Sequence, residues 1–142
     1  MKQLGKIGAT AALMMTAVAA PAAVALQQDD GPKLAGETWV RTELFFGTDR
    51  PGPDVTEYQF SRFVNETVTP RFPDGLTVLS GNGQWKSDGR IVRERSKLVI
   101  ILYPADGAAE SGKKIDEIRS AYEKKFQQES VLRTDSTEQV SF

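Results

Sequence analysis

Neither cysteine nor histidine occurs in this 142-residue sequence. Without cysteine the chain cannot form disulfides, so its stability must come from an apolar core. Without either residue, the common zinc sites, thiol nucleophiles and histidine-based triads cannot be built. Any chemistry must therefore come from carboxylate, guanidinium, ammonium, phenol or hydroxyl groups, and we expect neither a metal nor a cofactor.

An excess of charge of either sign is also missing, since 18 Lys and Arg residues face 19 Asp and Glu residues. The first 25 residues contain two of the lysines and no acid, so without them the formal charge changes from −1 to −3. Such a weak charge disfavours nucleic acid or an anionic membrane as the main partner. A chain of this length has room for a single domain.

The N-terminus has the pattern of a secretory signal peptide. Lys2 and Lys6 precede an apolar run over residues 7–20, and Ala23-Val24-Ala25 offers a cleavage site. The run is short for a bilayer span and polar residues follow it, so we expect no stable membrane span after cleavage. We interpret the chain as that of an exported protein, periplasmic or secreted, with a signal peptide over 1–25, a flexible leader over 26–36 and one domain over 37–142.

Hydrophobic periodicity predicts the elements of that domain. Alternation over residues 38–47 predicts a strand with Val40, Thr42, Leu44 and Phe46 on one face. Thr56 with Gln59 forms a capping-box pattern, which predicts a helix that ends before Pro70. Similar patterns predict strands over 76–79, 90–103 and 131–142, a hairpin turn at Asp88-Gly89, and a second helix over 113–128.

The order strand, helix, strand, strand, helix, strand predicts an α+β fold, the ferredoxin-like split β-α-β sandwich. In this fold both helices cover one face of an antiparallel sheet, and the first and third strands are central neighbours. We expect the other face to collect Trp39, Phe45, Val99, Ile101 and Tyr103. Because a monomer rarely leaves such a face exposed to water, we expect a second subunit, as in a homodimer, or the leader to cover it.

A set of motifs is spread over the predicted domain. It comprises Trp39 with Arg41–Gly47, Thr69–Val78 with Gly83-Gln84-Trp85, Arg93-Glu94, Gln128–Leu132 and Val140–Phe142. Over nearly all of residues 37–142 the chain thereby resembles the exported bacterial family catalogued as domain of unknown function 3574. It departs from the family at Gln139, where a cysteine is often expected. The resemblance implies a fold and an export route but no reaction.

Glu43 and Glu94 are the candidate catalytic residues, since they lie on strands predicted to be adjacent. Two carboxylates held close together have separated pKa values and can serve as acid and base. The alternative is that each is neutralised by a nearby arginine, namely Arg41, Arg93, Arg95 or Arg71. Structural ion pairs of this kind are common.

The candidate ligand-binding residues are Arg41, Arg71, Asp74, Gln84 and Trp85. Arg71 could offer a bidentate fork to an anionic ligand. Alternatively, it pairs with a strand carboxylate while Asp74 caps the turn that follows. Gln84 follows a Gly-Asn-Gly stretch that lacks the lysine and the helix of a P-loop, and Trp85 suits a core or an interface as well as a ligand platform.

These observations favour a non-catalytic binding or interaction module of the periplasm or cell envelope, which would use the open sheet face and residues 70–85. The alternative is a dimeric α+β barrel-type enzyme that uses carboxylate and arginine chemistry, with Glu43, Glu94, Arg71 and Trp85 around its site. A structural envelope protein without a small ligand is the third hypothesis.

Overall fold

The structure, a computed structural model, describes residues 35–142. The predicted signal peptide and most of the predicted leader lie outside the described residues. The elements are β1 (Glu37–Gly47), α1 (Glu57–Phe63), β2 (Thr77–Ser87), β3 (Arg90–Pro104), α2 (Ala108–Phe126) and β4 (Leu132–Val140). None of the helices among these residues is long and apolar enough to cross a membrane.

The four strands form one antiparallel sheet in the order β2-β3-β1-β4. β1 and β3 are therefore the central neighbours, and both helices pack on the same face. This is the predicted ferredoxin-like α+β architecture.

The core lies between the helices and one face of the sheet. Phe46 of β1 contacts Phe60 and Phe63 of α1 and Tyr122 of α2, with ring centroids 4.6 to 6.1 Å apart. Alternation along β1 directs every second side chain into this layer, as predicted, and Leu44 and Phe46 are completely buried.

The first helix begins at the predicted capping box. The hydroxyl of Thr56 accepts the backbone N–H of Gln59, whose side-chain oxygen accepts the N–H of Thr56. A π-helical turn, Val64–Val68, extends α1 as far as the predicted stop before Pro70. The backbone N–H of Thr69 closes that turn by donating to the carbonyl of Val64 at 2.9 Å.

Two elements are longer than predicted. β2 continues through Gly81 and Gly83 to Ser87 instead of ending at Leu79, because each of its residues pairs in unbroken register with β3. The hairpin turn follows at Asp88-Gly89, as predicted, with φ values of 47° and 78°. α2 begins at Ala108 rather than near residue 113, directly after a 3-10 turn.

The predicted position of three β3 side chains is wrong. Val99, Ile101 and Tyr103 lie on the helix-covered face and are 0, 0 and 5% exposed. Their partners across the ladder are the inward-facing Leu44, Thr42 and Val40. A register change of one residue moves every side chain to the other face, and the sequence of an almost wholly apolar strand does not distinguish the two registers.

Candidate functional site

The face of the sheet without helices exposes several large apolar side chains. Leu79, Leu102 and Leu132 are 48, 38 and 60% exposed on three different strands. The strand pairing assigns to the same face Trp39 and Phe45 of β1 together with Leu98 and Ile100 of β3. We call these seven residues the open face.

One ion pair lies among these apolar side chains. The Nε and Nη2 atoms of Arg41 donate to Oε1 of Glu43 at 2.9 and 2.6 Å. The two side chains retain 38 and 25% of their exposure. Glu43 is thus neutralised by its neighbour two residues earlier, as the arginine alternative predicted.

The two candidate catalytic carboxylates are not brought together. Their strands are adjacent, as predicted, but Glu43 is paired with Ile100, whereas Glu94 lies six residues further along β3 and is paired with Gly83. At about 3.3 Å per residue, their positions along the sheet differ by about 20 Å. A pair that shares a proton or a substrate atom is therefore not formed.

Glu94 lies at the end of β1, in a polar junction with the segment after α2. Its Oε2 accepts the backbone N–H of Asp49 at 2.9 Å, and the side-chain amide of Gln128 donates to the carbonyl of the same Asp49. The hydroxyl of Tyr122 donates to the carbonyl of Gly47 at 2.7 Å. No arginine pairs with Glu94 among the described residues, contrary to the alternative prediction.

Burial sets the protonation of this junction. Desolvation raises the pKa of Glu94, and the nearby Asp49 charge adds to this effect against the backbone hydrogen bonds. Burial, followed by the Glu94 charge, raises the pKa of the Tyr122 phenol. The phenol is therefore a neutral donor, and the carboxyl retains its proton to higher pH than an ordinary glutamate.

Arg71 and Asp74 both line a cleft of about 370 Å³ at the end of the sheet. Trp39 and Tyr103 line it from the strands, and Lys114 lines it from α2. Its lining combines aromatic side chains with charged groups.

The Arg71 guanidinium is held by protein groups. Its Nε donates to Glu117 of α2 at 3.1 Å, and its Nη1 donates to the carbonyl of Thr67 at 2.8 Å. Arg71 therefore pairs with a helix carboxylate rather than with a strand carboxylate. The backbone N–H of Gly75 closes the next turn by donating to the carbonyl of Phe72 at 3.4 Å.

The remaining ligand-binding candidates lie outside this cleft. Gln84 and Trp85 are paired with Arg93 and Val92 in the β2–β3 hairpin. Trp85 is 40% exposed. The structure thus joins Arg71 with Asp74, places Arg41 with Glu43, and leaves Gln84 and Trp85 on the hairpin.

Sequence reasoning missed Lys97, a lysine that is only 4% exposed. Its Nζ donates to both carboxylate oxygens of Glu57 at 2.5 and 2.6 Å and to the hydroxyl of Ser80 at 2.7 Å. Its inward direction follows from the same alternation that directs Val99 inward. Across residues 35–142, no three Asp or Glu side chains cluster in a way that would hold a metal ion.

These features define a ferredoxin-like α+β domain with one helix-covered face and one open apolar face. The family model described as "Protein of unknown function (DUF3574)" matches residues 41–142, and the chain belongs to this family. A comparison with curated proteins found no match.

Solved structures share the fold at low sequence identity. A phage SAM lyase in its apo state is 19% identical, with a TM-score of 0.51 over 75% of this chain and 92% of the lyase chain. CutA from Synechococcus elongatus is 9% identical, with a TM-score of 0.50 over 76% of this chain and 83% of the CutA chain. At these identities the likeness extends to the fold alone.

Proposed function

We propose that this protein is an exported, non-catalytic interaction module that forms a homodimer through the open face. The observation that carries the proposal is the continuous row of half-exposed apolar side chains across all four strands. Exposed apolar patches of this extent usually mark sites of association. With the register of β3 corrected, the contributing residues are Leu98, Ile100 and Leu102 rather than Val99, Ile101 and Tyr103.

The size of the open face suits a stable dimer. Four strands spaced about 4.8 Å apart and nine residues long give a sheet of about 19 Å by about 30 Å. Projecting side chains increase its accessible area above that of the plane. The result is comparable to the ~800 Å² that each partner contributes to a standard interface.

The charge pattern also suits two identical copies. A two-fold axis places the same patch on both sides of an interface, so the patch must be complementary to itself. Arg41 and Glu43 provide adjacent charges of opposite sign, so Arg41 of one copy can face Glu43 of the other. Ile100, opposite Glu43 in the ladder, supplies an apolar neighbour for this pair.

The enzyme hypothesis has less support. It depended on Glu43 and Glu94 as an acid and base pair, and these residues are about 20 Å apart along the sheet. The guanidinium of Arg71, which was predicted to bind an anionic ligand, donates instead to Glu117 and to the carbonyl of Thr67. A binding role needs neither a carboxylate pair nor a free guanidinium.

The test is the mass in solution of a chain that begins at residue 26. Light scattering coupled to size exclusion should give a mass of at least two chains, and Ile100→Lys should lower this mass because it places two buried charges in the apolar interface. Tyr58→Lys is the matched control, since Tyr58 is 71% exposed on α1, away from the open face. A monomeric wild type, or an Ile100→Lys variant with the same mass as the wild type, would contradict the proposal.

Export is tested separately with the full-length gene. We expect the mature protein in the periplasm or medium, with an intact mass that corresponds to a chain beginning at Leu26. Replacement of Ala23 and Ala25 by bulky residues should prevent cleavage. Retention of the unprocessed wild-type chain in the cytoplasm would contradict export while leaving the dimer proposal intact.

A further inference from the structure

β2 is an edge strand without the usual protection. Edge strands present unpaired N–H and C=O groups, and proteins normally protect them with charges, proline or bulges. β2 has eleven residues, contains no proline and pairs without a bulge, and Lys86 is its single charged residue. Every residue of β2 except Gly83 is exposed.

The opposite edge of the sheet differs. β4 carries the charged residues Arg133, Asp135 and Glu138. Arg133 donates to Asp135 at 2.9 Å within the strand. Of the two edge strands, β2 therefore offers the longer edge and the one with fewer charges to another strand.

We infer that β2 pairs antiparallel with β2 of a second copy, about a two-fold axis at Asn82. Asn82 is the midpoint of Thr77–Ser87, so this register pairs all eleven residues of both strands. The result is a continuous sheet of eight strands. A shift of two residues would leave strand ends without partners.

The side chains fit this register on both faces. On the open-face side, Leu79 lies opposite Trp85 of the other copy, an aliphatic–aromatic pair. In the isolated chain these residues are 48 and 40% exposed. On the helix side, Lys86 lies opposite Val78, so like charges do not meet.

The two glycines of β2 are consistent with this partner. Neither Gly81 nor Gly83 has a positive φ, and a Cβ at Gly83 would find no neighbour closer than 3.9 Å. The conformation of a single copy therefore does not require glycine at Gly83. In the paired sheet Trp85 of the other copy is the diagonal neighbour of Gly81, and an aromatic ring in this position covers an edge glycine.

This association is separate from the face-to-face dimer. The alternation places Asn82 with Ser80 and Lys97 on the helix side, so face-to-face contact does not bring two copies of Asn82 together. The two interfaces can be blocked independently, because Ile100→Lys acts on the open face alone.

The chain has no cysteine, so a single introduced thiol reports the pairing directly. At the two-fold axis the Cβ atoms of residue 82 lie about 4.5–5.5 Å apart, close enough for a disulfide after a small adjustment. We expect Asn82→Cys in the Ile100→Lys background to form a covalent dimer under mild oxidation. Thr137→Cys, exposed on β4, is the control and should form no covalent dimer.

Three outcomes would overturn the inference. In the first, Asn82→Cys forms no covalent dimer after oxidation. In the second, Thr137→Cys cross-links to the same extent as Asn82→Cys. In the third, Asn82→Cys cross-links only when it is mixed with Thr137→Cys. The last result would mean that β2 pairs with β4 of a neighbour instead.

A charge variant gives a second readout without oxidation. Asn82→Lys places two ammonium groups opposite each other at the axis and should weaken edge association at least about tenfold, or about 1.4 kcal/mol. Sedimentation velocity in the Ile100→Lys background measures this change, with Thr137→Lys as the control. Equal association of both lysine variants would contradict the pairing.

Discussion

At the scale of single residues, Glu94 shows how burial links protonation to stability. Its pKa is higher in the folded chain than the ordinary value of 4.5, mainly through desolvation. Between the pKa of the unfolded chain and the higher pKa of the folded chain, the folded state therefore binds more protons than the unfolded state. The free energy of unfolding consequently falls as the pH rises through this range.

The variant Glu94→Gln removes this titration and keeps an oxygen that can accept the N–H of Asp49. We expect the melting temperature of Glu94→Gln minus that of the wild type to increase from about pH 4 to about pH 7, because the wild type loses stability over this range. Differential scanning fluorimetry at several pH values measures this difference. Glu129→Gln, on an exposed residue, should give a constant difference, and a constant difference for Glu94→Gln would contradict the prediction.

Gly47 is the second residue whose role follows from its surroundings. A Cβ there would lie 2.7 Å from Oε1 of Glu94 and 2.9 Å from Oε1 of Gln128. Both side chains are held by hydrogen bonds to Asp49, so neither can move without losing one.

We therefore expect Gly47→Ala to lower the free energy of unfolding by about 1–3 kcal/mol. Gly107→Ala is the control, since a Cβ at Gly107 meets nothing within 4 Å. Urea denaturation of both variants measures the effect. Equal stabilities of the two variants would contradict the steric argument.

The sequence indicates which kinds of side chain could form a site, but it does not show which of them the fold brings together. The sequence places Glu43 and Glu94 on adjacent strands but does not give the register, and six residues of strand separate them. The pairing of Arg41 with Glu43 was predictable, because residues i and i+2 share a face of a strand. Gly47 and Gln128 are distant in sequence, so only the folded chain brings them to Glu94.

At the scale of elements, the Lys97–Glu57 pair connects the first turn of α1 to the sheet. The two partners are unequal, since the Lys97 side chain is 4% exposed and the Glu57 side chain is 73% exposed. Removal of Glu57 leaves a buried ammonium with Ser80 as its remaining partner, whereas removal of Lys97 leaves a carboxylate in water.

Glu57→Ala should therefore lower the free energy of unfolding by about 1–3 kcal/mol. Lys97→Met should cost less than about 1 kcal/mol, because an apolar chain of similar length fills the buried space. Chemical denaturation compares the two variants, with Glu117→Ala as a control for the loss of an exposed acid from a helix. A larger loss for Lys97→Met than for Glu57→Ala would contradict this asymmetry.

The predictability of each element depended on local signals. The capping box at Thr56, the stop before Pro70 and the Asp88-Gly89 turn are encoded within a few residues, and all three are present. The extension of β2 through Gly81 and Gly83 depends on its pairing with β3, which local propensity does not report. The early start of α2 likewise lacks a side-chain cap that would have marked it.

At the scale of the whole molecule, the order of the elements was sufficient for the fold. Strand order β2-β3-β1-β4 follows once both helices cross over the same face of the sheet. The identity of the open face did not follow, because Leu98–Tyr103 is apolar at every position. One register choice therefore determines which three side chains form the core and which three are available to a second copy.

Association through the open face would also make stability depend on protein concentration. A partner that binds only the folded chain stabilises it by mass action, so the melting temperature of the wild type should rise with each tenfold increase in concentration. Ile100→Lys should melt at a temperature that varies much less with concentration, and Tyr58→Lys should behave as the wild type does. Because edge pairing at β2 adds a second concentration-dependent term, the comparison is made in the Asn82→Lys background. A melting temperature independent of concentration in that background would mean that the open face does not bind a second copy.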